Sequence, residues 1–178
     1  MELLFLARDG DSAAFGELVR RLARPALAVA IRVLGDHALA EDAVQDAFAR
    51  LWREAGRFDA ERGSFPGWWR RMLMNCALDA RRRLKPVQPL ELAAEVADPA
   101  AGPEDAAHSN GIAALVQAAA ASLPHRQRAA LTLFHGDGLS MAEIADALGS
   151  TEKAVEGLLL RGRAALRDKL EELRGVER

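Results

Sequence analysis

Leu139–Leu170, LSMAEIADALGSTEKAVEGLLLRGRAALRDKL, reads as two helices joined by a tight turn, the second ending in a basic rail. Ser140 is placed to cap the first helix, and Glu143, three residues on, completes a capping box. Met141, Ile144, Ala145 and Leu148 form one apolar face of that helix. Gly149 stands where a helix needs a left-handed stop, and Thr151 can cap the next one. Val155, Leu158, Leu159, Ala165 and Leu166 recur at helical spacing on the longer helix, which also carries Arg161, Arg163 and Arg167. A helix-turn-helix sets its second helix into the major groove of DNA. Duplex DNA is therefore the first ligand class to which the sequence points.

The 178 residues can hold one domain or two small ones. Half of them are hydrophobic, enough for a packed core. Alanine, leucine and arginine dominate, tyrosine is absent and β-branched residues are few, which favours an all-helical fold. The net charge of −2 is unusual for a stand-alone DNA binder, because phosphate contacts call for a basic excess. Either DNA is the wrong ligand or acidic and basic surfaces are segregated for different partners. The single cysteine, Cys76, allows no intrachain disulfide and sits in an apolar helical pattern, as a buried thiol would. No apolar run reaches the length of a membrane span. The start, MELLFLARDGD, lacks a positive n-region and a cleavage site, so it is not a signal peptide and the protein is expected to be cytosolic.

Three segments emerge. Residues 1–85 are helical in pattern. Residues 86–110, PVQPLELAAEVADPAAGPEDAAHSN, hold most of the prolines and five carboxylates without a lysine or arginine, which is the composition of an acidic linker. A short helical turn is possible at Glu91–Val96. Residues 111–178 form a second helical unit. In the first unit Asp11 or Ser12 starts a helix, Pro25 breaks or kinks it, and Leu27 to Leu34 continue as a very apolar second helix ending at Gly35. Asp36 caps the next helix, where Ala40, Val44, Ala47, Phe48, Leu51 and Trp52 make an apolar stripe opposite Glu41, Asp42, Gln45, Asp46 and Arg53. Ser64 can cap a fourth helix. In the second unit Ile112, Leu115, Val116 and Ala119 share one helix. Leu123-Pro124 restarts another, with Gln127, Ala130, Leu131 and Phe134, and Gly136-Asp137-Gly138 turns the chain into the helix-turn-helix.

The fourth helix mixes Trp68 and Trp69 with Arg70, Arg71, Asn75, Arg81, Arg82 and Arg83. Aromatic rings stack on unpaired bases and arginines track phosphates, so the mixture suits single-stranded DNA. The plain alternative is a core tryptophan and a solvated arginine face. Adjacent residues cannot both face one core, so one Trp is expected inside and the other partly exposed. The acidic face Glu41-Asp42-Gln45-Asp46 is either an ordinary wet helix face or a dock for a basic partner. His37, His108, His125 and His135 have no ligand-like spacing. No nucleophile, phosphate loop or triad pattern accompanies the carboxylates, so neither metal nor cofactor nor enzymatic activity is expected.

Four stretches in order are similar to the small extracytoplasmic-function (ECF) group of bacterial RNA polymerase sigma factors. They are DGDSAAFGELV (Asp9–Val19), AEDAVQDAFARLWR (Ala40–Arg53), FDAERGSFPGWWRRMLMNCALDARRR (Phe58–Arg83), and SLPHRQRAALTL (Ser122–Leu133) with the helix-turn-helix after it. The resemblance covers nearly the whole chain. It implies that residues 1–85 bind core polymerase at the clamp helices of its largest subunit, with Asp42, Gln45 and Asp46 on the matching positions. It also implies that this unit melts the minus-ten element, with Phe58, Trp68, Trp69, Arg71, Asn75, Asp79 and Arg82 toward DNA. Trp68, Arg71 and Asn75 would lie at the upstream edge of the bubble. Phe58, Asn75 and Cys76–Arg83 would form or flank a pocket for a flipped base, an extrusion that costs a few kcal/mol. Residues 111–178 would read the minus-thirty-five element as duplex through Lys153, Glu156, Gly157, Leu160 and Arg161. The acidic linker would thread a basic channel of the polymerase near the RNA exit path, and an anti-sigma factor is implied as a further partner.

The chain departs from the family where Lys/Arg-Ser-Arg often stands early in the recognition helix. It has Glu156, Gly157 and Leu158 there. At a base edge Glu156 could accept from cytosine. Met74 stands where many members have arginine. The expected protein is an all-α, two-unit sigma factor that acts with polymerase. The competing readings are an autonomous helix-turn-helix regulator, which would bind duplex without polymerase, and a nucleic-acid-modifying enzyme.

Overall fold

Local start and stop signals become helix ends in the computed structural model, which describes residues 2–83 and 111–176. The linker, including the turn expected at Glu91–Val96, lies outside the described residues. Among those described the chain is helical, without a strand. The N-terminal unit contains α1 (Glu2–Arg8), α2 (Ser12–Leu34), α3 (His37–Glu54) and α4 (Phe65–Arg83). A single 3-10 turn, Ala55–Arg57, follows α3. The C-terminal unit contains α5 (Gly111–Ala121), α6 (His125–Leu131), α7 (Met141–Ala147) and α8 (Glu152–Val176).

The caps are those expected. The Asp11 carboxylate accepts from the N–H of Ala13 and Ala14, and that of Asp36 accepts from Leu39 N–H. Gly35 ends α2 at φ 72°, its N–H bonded to Ile31 O. The Ser140 hydroxyl accepts from Glu143 N–H, while the Glu143 carboxylate accepts from the Ser140 N–H and hydroxyl. Those two bonds hold the Glu143 carboxyl below its usual range. A cap of this kind contributes about 1 kcal/mol. Ser140→Ala should remove about that much stability in urea titration. Because the shift is downward, the Glu143 contribution is present above the usual carboxylate range and fades as pH falls through the lowered value. Glu143→Gln should therefore flatten the acid limb of the stability curve.

Pro25 does not break α2, which runs unbroken from Ser12 to Leu34. Pro25 offers no N–H to the carbonyl one turn earlier. Ala26, Ala30, Val33 and Leu34 just beyond it are buried, and that packing outweighs the lost bond. The expected stripe on α3 is buried except for Trp52, which is 41% exposed. One residue step turns 100° about the helix, so Trp52 is carried out of the line that buries Leu51. Val116 is likewise exposed, while Ala119 is buried.

The core runs through both units. Leu4, Val33, Leu51 and Met74 in the first, and Leu133, Ile144, Val155 and Leu159 in the second, are the largest fully buried side chains. In the second unit α5, α6 and α7 pack around α8, with Arg163 over the Phe134 ring. Between the units, α2 lies against α6 and α4 against α7.

Candidate nucleic-acid and protein-binding surfaces

A run of helix α4 carries one candidate surface. Trp68, Arg71, Asn75, Asp79 and Arg82 are spaced 3, 4, 4 and 3 residues apart, so they fall in one line about 21 Å long. Trp69 sits off that line. It is buried against Phe48, ring centroids 4.9 Å apart, so its ring belongs to the core, and Trp68 is the partly exposed one of the pair. Ser64 starts the helix, its hydroxyl accepting from Gly67 N–H.

At the N-terminal end of this line Phe58 meets Phe65 and Trp68, with centroids 5.9 and 5.5 Å away. Phe58 and Trp68 line an open cavity of about 530 Å³, with Phe65 packed behind them. Arg57, Arg62, Arg70 and Arg71 surround it. Of these, Arg70 and Arg71 were anticipated in the Trp–Arg run of the fourth helix. Arg57 and Arg62 come from the FDAERG loop and its approach, where no helical period groups them with α4. Asn75, Asp79 and Arg82 do not line the cavity but continue the line beyond it, and Arg82 donates to Asp79.

The far wall of the cavity belongs to the other unit. Ala142, Glu143 and Asp146 of α7 close it, and Arg71 donates to Asp146 at 2.9 Å. Among the lining residues, four arginines face Asp59 alone on the N-terminal side, a net charge of +3. Glu143 and Asp146 bring that to +1. A second interunit ion pair joins Arg32 to Asp137 at 3.0 Å.

Arg128 is the one buried charged residue among those described, 7% exposed. It donates to the carbonyls of Ala121 and Leu123, and its guanidinium lies against Gly35 at the end of α2. Burial pulls its pKa down to about 10, with Arg81 adding to the effect. Nothing in the sequence marked it, since a lone arginine on a short helix looks like any solvated one. Cys76 is buried, and burial pushes its thiol up.

Helix α3 carries the second surface. Asp42, Gln45 and Asp46 are all exposed on one side of it. Asp46 accepts from Arg83 at 3.2 Å, so the acidic face and the arginine end of α4 touch. Trp52 continues the same side and packs edge-on to Phe15.

Helix α8 carries the third. Thr151 caps it, accepting from Ala154 N–H. Val155 and Leu159 point inward, while Lys153, Glu156, Leu160 and Arg161 are exposed and Gly157 is half-exposed. Among the described residues no helix is long and apolar enough to cross a membrane, and no three His, Cys, Asp or Glu side chains group as metal ligands.

Comparison with known proteins identifies the family. Residues 18–86 match the family model for Sigma-70 region 2, and residues 113–166 that for Sigma-70 region 4. The chain is 30% identical to the ECF RNA polymerase sigma factor SigW of Bacillus subtilis, over 93% of this chain and 94% of that protein. It is 38% identical to the ECF sigma factor SigM of Mycobacterium tuberculosis, over 93% of this chain and 81% of the relative. Against SigE of Mycolicibacterium smegmatis the identity is also 38%, but the match spans 64% of that longer protein. Among solved structures, CnrH in complex with the cytosolic domain of CnrY superposes with a TM-score of 0.64 at 30% identity, covering 96% of each chain. The sigma factor RpoE, bound to the anti-sigma factor NepR from Bartonella quintana, has the same fold, with a TM-score of 0.66 at 21% identity.

Proposed function

The chain belongs to the ECF group of the sigma-70 family of RNA polymerase sigma factors, and from that premise we propose that it is a dissociable specificity subunit that brings core polymerase to its promoters. The observation that carries the proposal is the cavity of two aromatic rings and four arginines in the same chain as a helix-turn-helix. The first suits an unpaired strand and the second suits duplex.

In this reading residues 1–85 are the melting unit and residues 111–178 the duplex-reading unit. Asp42, Gln45 and Asp46 dock on basic residues of the polymerase clamp helices. Phe58 and Trp68 offer stacking faces to unpaired minus-ten bases, and Arg71 and its neighbours hold the backbone. Asn75, Asp79 and Arg82 extend the track. Trp69 acts from behind, by holding α4 on Phe48. Lys153, Glu156, Gly157, Leu160 and Arg161 face the minus-thirty-five duplex. The chain supplies recognition and melting rather than catalysis, and works with polymerase in the cytoplasm. By analogy with the complexes above, an anti-sigma factor is its expected regulator.

Geometry adds a condition. The two promoter elements lie some 25 base pairs apart, roughly 85 Å at about 3.4 Å per pair. Two units joined by the Arg71–Asp146 bond cannot hold both at once. They must part, and the 27 residues from 84 to 110 reach at most about 95 Å when fully extended. The parted cavity regains its net charge of +3 and can receive phosphates in place of Glu143 and Asp146. The exposed ion pairs contribute at most about 1 kcal/mol each, so parting the units requires a ligand that also offsets the apolar packing of α2 on α6 and α4 on α7. Asp146→Lys sets like charge against Arg71. It should enlarge the free protein in small-angle scattering and raise its affinity for single-stranded DNA several-fold. An unchanged radius of gyration would remove the ion pair from the closure.

The decisive assay for the function is transcription in vitro with purified core polymerase. Promoter-dependent initiation that needs this chain supports the sigma reading. Sequence-specific duplex binding by the chain alone, with no initiation on any template, would instead make it an autonomous regulator.

A further inference from the structure

We propose that Leu160 is a thymine reader, selecting the C5-methyl group of one base in the upstream duplex element, one helical turn from the position where Glu156 accepts from cytosine. This rests on the sigma reading above and gives its recognition helix a base preference.

Leu160 is 70% exposed, whereas the other exposed large hydrophobics among the described residues lie between 39% and 42%. Its position on α8 explains where that apolar surface points. Val155 and Leu159 are buried, and Gly162 is so close to α6 that an added Cβ would stand 3.0 Å from a Leu131 methyl. Those three define the inward side. Steps of 100° per residue place Lys153, Gly157 and Leu160 on the opposite side, with Glu156 beside them. In a helix-turn-helix the outward side of the second helix, toward its N-terminus, is the side that meets base edges.

The occupant follows from the flanks. Lys153, Arg161 and Arg167 are exposed around Leu160, Arg167 beside Asp168, while Arg163 turns onto the Phe134 ring. The three exposed cations make a border that fits phosphates on either side of a groove. Within that border the helix presents an acceptor-only carboxylate, a glycine and a leucine. Arg161 lies back over Gly157, its guanidinium 3.3 Å from where a Cβ would sit, so a donor group fills the place of the missing side chain beside Leu160. Major-groove edges carry one apolar group, the thymine methyl, and an apolar side chain contacts it in preference to any other edge. A carboxylate there accepts from cytosine N4 and is repelled by the acceptors of guanine. Side chains four apart on a helix are about 6 Å apart, close to two base steps of about 3.4 Å. The preferred element should therefore hold a cytosine and a thymine within two base steps of each other.

The test uses holoenzyme assembled from core polymerase and this chain, selecting initiating templates from a library randomised across the upstream element. Thymines in the selected element are then replaced one at a time by uracil, which removes only the methyl. One position should lose initiation about fourfold, the effect of one buried methyl-sized group. Leu160→Ala should abolish the difference between thymine and uracil there while keeping the cytosine preference. Glu156→Gln should do the reverse. Selected promoters that work equally well with uracil at every upstream position would overturn the role of Leu160 and leave the sigma reading standing. So would a Leu160→Ala variant that still discriminates the methyl. Failure to initiate on any template would overturn both.

Discussion

Reversing Asp42 and Asp46 to lysine together should lower affinity for core polymerase about 100-fold or more, measured by competition against a labelled sigma factor. Both carboxylates are exposed on the same side of α3, with Gln45 between them, and no apolar group covers them. Truncating one partner of a close charge pair in an interface costs about 2–5 kcal/mol, and reversal adds repulsion to that loss. A hundredfold change is about 2.7 kcal/mol, which two such positions reach comfortably. The intramolecular effect is small by comparison. Asp46 gives up its bond to Arg83, an exposed pair contributing at most about 1 kcal/mol. Helix content and melting temperature should stay close to the parent, and single-stranded DNA binding by the free chain should persist. Core affinity within twofold of the parent would take α3 out of the interface.

Gly35→Ala should cost about 2–4 kcal/mol of folding free energy, large for a single added methyl. Two effects combine. A residue with a Cβ at φ 72° is disfavoured by roughly 1–2 kcal/mol. The new Cβ would also lie 2.3 Å from an Arg128 nitrogen, so the buried guanidinium must move. Moving it strips the carbonyls of Ala121 and Leu123 of their donor, and each buried group left unbonded costs about 1–3 kcal/mol. At roughly 2–4 °C per kcal/mol the melting point should fall by several degrees. Combining the change with Arg128→Met separates the two effects, because only the backbone cost remains once the guanidinium is gone. The two substitutions should therefore be non-additive by about 1 kcal/mol or more. Strict additivity would mean that Arg128 adapts without cost. The same pair bears on closure, since Arg128 belongs to the C-terminal unit and Gly35 to the N-terminal one.

Much of the secondary structure was legible because its signals are local. Asp11, Asp36, Ser140 and Thr151 bond to N–H groups two or three residues away, and Gly35 and Gly149 take positive φ at helix ends. Such interactions need no distant partner, so residue type and spacing suffice to place them. The family was legible for a related reason. Four motifs in fixed order along one chain constrain it far more than any one of them.

Facing and contact were another matter. Periodicity put Trp52 with Leu51, but a rotation of 100° at the edge of a stripe decides exposure, and only the packed neighbours set where the edge falls. It could say that one of Trp68 and Trp69 turns inward, and the proximity of Phe48 decided that it is Trp69. Pro25 read as a break, yet a lost hydrogen bond is outweighed where the next turns are buried. The burial of Arg128, the arginines gathered from the loop before α4, and the two carboxylates that α7 sets against them join residues tens of positions apart. Sequence alone determined most of the helices, their caps and the family. The tertiary structure alone decided which charges meet, because that depends on how two separately legible units pack rather than on any spacing within either.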